Sequence, residues 1–291
     1  MRIKRIIIDI FCFLCEFYYG GIITLKKIII GWLFIALFVN STSIFARPRT
    51  ETSTSTTNAP VTILVAAAAS LMNAFDRELI PLFKLKYPWI TVEGTYDSSG
   101  RLQTQIEAGL PADVFMSAAP TQMNALVDKN LVLRESVRPL LENKIVLIKP
   151  AGSTTSVYSF ETITQARIIA IGDPASVPAG QYAREIFSHL GIWEAVLSKA
   201  SLGTNVTEVL NWVGEGSAEV GVVYATDAIS TNRVEIISEA PAGSLRQKVI
   251  YPVGIVRASA HPKEAQLFVD FLFSEESLAI FRKYGFTKYE Q

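Results

Sequence analysis

From Val61 onward, apolar runs of strand length alternate with amphipathic runs of helix length, with almost nothing between them. This alternation constrains the fold more than any other feature, because each βα unit buries its apolar faces against its neighbours in an open sheet covered by helices. "VTILVAA" (61–67) is a buried strand, and the apolar positions Leu71, Phe75, Leu79, Leu82 and Phe83 then share one helix face starting from Ser70. Pro81 interrupts that pattern and predicts a kink or restart. "WITVEGTY" (89–96) is a strand, "DSSG" (97–100) a turn, and "RLQTQIEAG" a short helix capped by Gly109. "ADVFMSA" (112–118), "NKIVLIKP" (143–150), "ARIIAIGDP" (166–174), "AEVGVVYATDA", "VEIIS" and "QKVIYPVGIV" supply further strands. "PTQMNALVDKN", "AGQYAREIFSHLG", "NVTEVLNWVGEG" (205–216), "PKEAQLFVDFLFS" and "EESLAIFRKYGF" supply helices. The expected class is α/β, with open, mostly parallel sheets flanked by helices and no internal repeat.

The junctions where strands give way to helices are unusual in composition. They consist of small and hydroxyl residues: "AAAAS-LMN" at Ser70, "DSSG-RLQ" at Ser98 and Ser99, "VPAG-QYA" at Ala179 and Gly180, and "GTN-VTE" at Asn205 and Val206. The first N–H groups of a helix lack internal partners, and the helix dipole makes that end partly positive. Several such ends facing one cavity make an anion site, and open α/β sheets carry ligands at the carboxyl ends of their strands. Taken singly, each junction is ordinary N-capping. Four of them in one chain point toward a ligand.

Charge and composition exclude several alternatives. The 291 residues are 49% hydrophobic and 19% charged, with zero formal net charge. Without the first 46 residues, 22 basic and 25 acidic side chains remain, and no basic stripe supports nucleic-acid binding. Of the two histidines, His189 falls in the last turn of a helix, where a cation suits free carbonyls, and His261 precedes Pro262 at an exposed helix start. No nucleophile elbow, zinc-protease helix, phosphate loop or dinucleotide fingerprint follows a strand, and no metal cluster is visible, so no enzyme chemistry is singled out.

The N-terminus reads as targeting rather than fold. Lys26 and Lys27 precede the apolar run "IIIGWLFIALFV", and small and polar residues lead to Ala46, the pattern of a secretory signal over 1–46. The run is shorter than the roughly 20 residues a spanning helix needs. A second apolar run, "IIIDIFCFLCEF", suggests a translation start near Leu25 or, alternatively, a double membrane anchor. Its Cys12 and Cys15 are the only cysteines, so cleavage leaves a chain without thiols. Ala46 is not followed by Cys, which argues against a lipid anchor at this cut. Residues 47–59 form a polar Thr/Ser-rich linker, expected to be disordered.

The strings "AAAASLMNAF", "SSGRLQTQIEAGLPADVFMSA", "IGDPASVPAGQYARE", "GVVYATDA", "YPV" (Tyr251–Val253) and "FRKYGF" stand in an order that resembles the periplasmic molybdate-binding proteins serving ABC transporters, over about residues 61–288. The resemblance implies a two-lobed type II periplasmic binding fold, with an oxyanion in the cleft between lobes. One lobe would comprise 60–142 plus 250–291 and the other 143–249, joined by crossing strands near Asn143 and Tyr251. By motif, Ser70 and Ser99 would offer hydroxyl and backbone donors, Ala179 and Val206 backbone N–H groups, and Tyr224 its phenol. The implied ligand is molybdate or tungstate, with no cofactor. The implied partner is a membrane ABC permease, and the implied state is a periplasmic monomer. Sulfate or phosphate reception by the same fold is the alternative, with an exported enzyme further behind. Arg101, after the serines, is expected to face solvent. Asp97 is out of place in an anion site: harmless as a cap pointing away, repulsive pointing in.

Overall fold

A computed structural model describes residues 59–290. The expected targeting segment 1–46 and nearly all of the linker lie outside the described residues. Two sheets organise the rest, one of six strands in the order β11-β4-β10-β3-β1-β2 and one of five in the order β7-β6-β8-β5-β9.

The first sheet grows from β1 (Val61–Ala68), which pairs in parallel with β2 (Ile90–Asp97) and β3 (Val114–Met116). It is completed by β4 (Arg138–Asn143), β10 (Val249–Ile255) and β11 (Thr287–Lys288), all joined antiparallel. The second sheet holds β5 (Ile145–Pro150), β6 (Ile169–Gly172), β7 (Ala200–Gly203), β8 (Val220–Tyr224) and β9 (Val234–Glu239). Here β6 pairs in parallel with β7 and β8, while β5 is antiparallel to β8 and β9. Both sheets are therefore mixed. The βαβ units give the expected parallel pairs, and the strands next to the two passages between sheets run the other way. The chain passes from the first sheet to the second between Asn143 and Ile145 and returns between Glu239 and Val249.

Helices cover both faces of the first sheet. The first helical run, α1, opens with a 3-10 turn (Ala69–Leu71) and an α-turn (Met72–Ala74), then a π-helical stretch (Phe75–Leu79) and an α-helix (Ile80–Lys86). The π stretch answers the predicted break at Pro81. Proline has no N–H and its ring would strike the carbonyl four residues back, so the preceding turn widens and Ile80 bonds to Phe75 instead. Phe75 and Phe83 of α1 pack against Phe268 of α8 (Pro262–Leu272), and Phe75 against Phe281 of α9 (Glu275–Lys283). On the other face, α2 (Ser99–Glu107) and α3 (Pro120–Asp128) bury Leu102, Ile106, Met123 and Leu126 against Ala66 and Phe115. Val65 and Ala67 bury into the first of these layers and Ala66 into the second, which is why β1 reads as a continuous apolar run.

The second sheet is flanked by α4 (Pro178–His189), α5 (Trp193–Leu197), α6 (Val206–Gly214) and α7 (Ala225–Ile229). His189 occupies the last turn of α4, as its sequence context predicts. The "DSSG" segment is not a turn. Ser98 is extended (φ −61, ψ 144) and Ser99 is already helical, so β2 runs directly into α2. Gly109, at φ +97, closes α2 in the left-handed conformation that glycine adopts freely.

Candidate ligand-binding site

All five residues singled out by motif line one cavity between the carboxyl ends of the two sheets' strands: Ser70, Ser99, Ala179, Val206 and Tyr224. The cavity is narrow, with room for about one water molecule. Ser70 comes from the turn after β1, and Ser99 opens α2. Ala179 is the second residue of α4, Val206 the first of α6, and Tyr224 the last of β8. Three helices of nine residues or more thus present their amino ends to one small space.

Close packing fixes these ends. Gly180 lies against Gly172 of β6, where an added Cβ would collide with the Gly172 carbonyl oxygen. The missing side chain lets the first turn of α4 sit directly on the strand end. Asn205 caps α6, its Oδ1 accepting from the Glu208 N–H at 3.0 Å, which leaves the Val206 N–H without a capping partner.

The hydroxyls are less conventional. Ser70 does not cap α1, contrary to the sequence expectation. It lies inside the 3-10 turn, two residues past the cap position at Ala68, and its Oγ sits 3.0 Å from Tyr251 Oη. Ser99 is fully buried, and its Oγ accepts from the Ala118 N–H at 2.9 Å. Ser98 and Tyr224, 4% and 1% exposed, have hydroxyl oxygens with no partner. Burial pushes the Tyr224 phenol well above its ordinary pKa, with Tyr251 close by, so it stays a neutral donor. Sequence reading took Ser99 of the serine pair and left Ser98 as a junction residue. The orphaned hydroxyl of Ser98 makes it an equal member of the cavity wall.

Asp97 touches the cavity rim, but its charge is engaged. One oxygen accepts from the Ser98 N–H at 2.7 Å, and the other faces Arg101 Nη1 at 3.5 Å. Arg101 is half exposed, so it faces solvent as expected and neutralises Asp97 from outside. Among the described residues, no group of three or more His, Cys, Asp or Glu is placed to hold a metal ion.

The cavity walls also touch each other. The Gly100 N–H donates to the Ser176 carbonyl at 2.9 Å, Gln122 Nε2 to Gln181 Oε1 at 3.1 Å, and Asn205 approaches Asp97 at 3.5 Å. Each contact joins an element of the first sheet to one of the second.

Behind Tyr224, Asp227 accepts the Tyr224 N–H at 3.1 Å, and burial raises its carboxyl pKa from 3.8 to about 7. Between these two values the unfolded chain has lost this proton and the folded chain keeps it. The group's contribution to stability therefore falls as pH rises through that window and is flat above it. Asp227→Asn should unfold at higher urea than the parent above about pH 7, with the smallest difference near about pH 4. Urea midpoints across pH check this.

Comparison with known proteins agrees with this architecture. The sequence pattern of the bacterial extracellular solute-binding proteins matches residues 63–287. YvgL of Bacillus subtilis (strain 168), named as an ABC transporter substrate-binding lipoprotein, is 39% identical over 227 residues, covering 78% of this chain and 86% of its own. The molybdate-binding protein ModA of Escherichia coli (strain K12) is 35% identical over 231 residues, 77% of this chain and 88% of its own. The Azotobacter vinelandii periplasmic molybdate-binding protein superposes with a TM-score of 0.70 at 21% identity, over 79% of this chain and all of that one, and shares its fold. Two mixed sheets flanked by helices, with a cavity where their strand ends meet, are the type II periplasmic binding architecture, and this chain belongs to the bacterial extracellular solute-binding protein family.

Proposed function

We propose that this protein captures molybdate, and tungstate alike, outside the cytoplasm and delivers it to an ABC permease. The observation that carries the reading is the convergence of three helix amino ends and two buried, unpartnered hydroxyls, Ser98 and Tyr224, on one narrow cavity. The names of the relatives at 35% and 39% identity point the same way.

Binding needs no chemistry on the ligand. A fully deprotonated tetrahedral dianion asks for donors only. The hydroxyls of Ser70, Ser98, Ser99 and Tyr224 and the N–H groups of Ala179 and Val206 supply them. Each hydrogen bond to a charged group contributes about 1.5–3 kcal/mol, and each helix end adds about 0.3–1 kcal/mol. Hydrogen phosphate would bring an O–H needing an acceptor; left unpaired in the closed cavity, it costs roughly 1–3 kcal/mol. In this reading, 60–142 plus 250–291 and 143–249 are the two lobes. Residues 1–46 direct export and 47–59 remain as a polar linker at the start of the mature protein, which works as a periplasmic monomer without a cofactor.

Thermal melting with molybdate, tungstate, sulfate and phosphate tests the reading. Molybdate and tungstate should each raise Tm, with about 2.7 kcal/mol of added stability at a hundredfold excess over Kd. Stabilisation by sulfate or phosphate alone would assign the site to those ions, and stabilisation by none would remove the reading. Tyr224→Phe should move two quantities in opposite directions. The unliganded protein gains about 1 kcal/mol because an orphaned buried hydroxyl is gone, and molybdate affinity falls by about 1.5–3 kcal/mol. Calorimetry alongside unliganded melting reads both.

A further inference from the structure

Ser70 is tied to a line of side chains whose polarity is set at its far end. Asn143, the last residue of β4, accepts the Lys144 main-chain N–H on Oδ1 at 2.8 Å. A main-chain N–H can only donate, so the amide oxygen must face it and the nitrogen must face the other way. That nitrogen donates to Thr226 Oγ1 at 2.9 Å and to Tyr251 Oη at 3.2 Å. Tyr251 is fully buried in β10; its hydroxyl meets Ser70 Oγ at 3.0 Å, and the neutral Tyr224 phenol lies beside it. Accepting from Asn143 leaves the Tyr251 oxygen with its own proton to give, and Ser70 Oγ stands at hydrogen-bond distance to take it. Ser70, having accepted from Tyr251, turns its own proton toward the cavity it lines.

We propose that Asn143, acting through Tyr251, positions the Ser70 hydroxyl as a donor into the cavity and thereby makes the site discriminate against ligands that carry an O–H. Ser99 is oriented in the same manner by a simpler device, the Ala118 N–H that occupies its oxygen. In both cases a donor of fixed polarity takes the accepting role of the hydroxyl. Burial pushes the Tyr251 phenol well above its ordinary pKa, so its proton stays in place. Asn143 and Ser70 are positions of different sheet elements, and the line between them runs through the strand that follows the second passage between sheets. No sequence spacing joins them.

The inference rests on the oxyanion reading, and the test separates the two. Molybdate affinity is measured by calorimetry at slightly alkaline pH, and phosphate affinity by competition, where both ions carry two negative charges. Asn143→Asp presents an oxygen to Tyr251. Tyr251 then donates to the carboxylate, Ser70 donates to Tyr251, and Ser70 is left accepting from the cavity. The added charge weakens both dianions alike, but the reversal weakens molybdate and offers the phosphate O–H a partner. The molybdate-to-phosphate affinity ratio should fall about tenfold or more, one hydrogen bond's worth. Tyr251→Phe frees Ser70 to turn either way, so the ratio should fall severalfold. If Asn143→Asp does not fold, Tyr251→Phe decides alone. A parent that binds molybdate while the folded variants keep its ratio overturns the positioning role and leaves the function standing. A parent that binds no oxyanion overturns the function itself.

Discussion

Gly100→Val should lower molybdate affinity on the order of 100-fold or more, while the unliganded protein stays folded. Gly100 lies in the first turn of α2 and approaches the loop before α4 so closely that its N–H bonds the Ser176 carbonyl at 2.9 Å. A Cβ there would collide with the Ser176 carbonyl oxygen and lie 2.8 Å from its Cα. Backbone atoms cannot swing aside as a side-chain tip can, so the obstruction must hold the two cavity walls apart. The Ala179 and Val206 N–H groups on the far wall then lose the ligand together. Two hydrogen bonds to a charged group, at about 1.5–3 kcal/mol each, account for the expected loss. Helix α2 itself gains from the change, because valine has the better helix propensity and the backbone at Gly100 is ordinary. Calorimetry gives the affinity, and unliganded melting checks that the fold is kept. Parental affinity in Gly100→Val would mean that the contact between walls plays no part in binding.

Val206→Pro removes a single N–H from the proposed ligand shell and should weaken molybdate binding by about 1.5–3 kcal/mol. Position 206 is unusually suited to this test. It is the first residue of α6, where proline is favoured because its missing N–H has no helical partner. Asn205 before it is already extended (φ −156, ψ 171), as the residue preceding a proline prefers. The Asn205 cap on Glu208 does not involve the lost group. Some apolar contact of the buried valine side chain is given up, at about 1 kcal/mol of unliganded stability. An unliganded melting temperature near the parent's, with affinity unchanged, would exclude the Val206 N–H as a ligand donor.

Much of this architecture was legible because the alternation of periods is a local property. Strands β1, β2 and β8 and helices α4 and α6 fall within a few residues of the runs that announce them. The misses have identifiable causes. Strand β4, "RPLLEN", contains Pro139 and three charged or amide side chains, which read as a connection. It survives as a strand because Pro139 stands opposite Pro252 of β10 at a bulge, where the ladder is already interrupted. Strand β7 and helix α5 are too short to display a period. At the cavity, sequence patterns located every junction but not the direction of any hydroxyl. Ser70 turns to Tyr251, 181 residues away, and Ser99 to Ala118, while Ser98 has no partner at all. Those directions depend on contacts between distant segments, and no local pattern encodes them.

The two passages of the chain between sheets also bear on how the protein is assembled during synthesis. All five strands of the second sheet lie between Ile145 and Glu239, in one uninterrupted stretch. The first sheet is different: β10 stands between β3 and β4, so nothing joins β4 and β11 to the rest until Val249–Ile255 has emerged. A chain made from its amino end thus carries an unfinished first sheet for most of its length, and only its last seventh or so, β10 through β11, can close it. Domains generally form as units once their segments are present. The segment that completes the cavity, with Tyr251 behind Ser70, is therefore among the last to arrive. The first sheet of a nascent chain therefore stays incomplete until almost all of the chain has been made, while the second can form earlier.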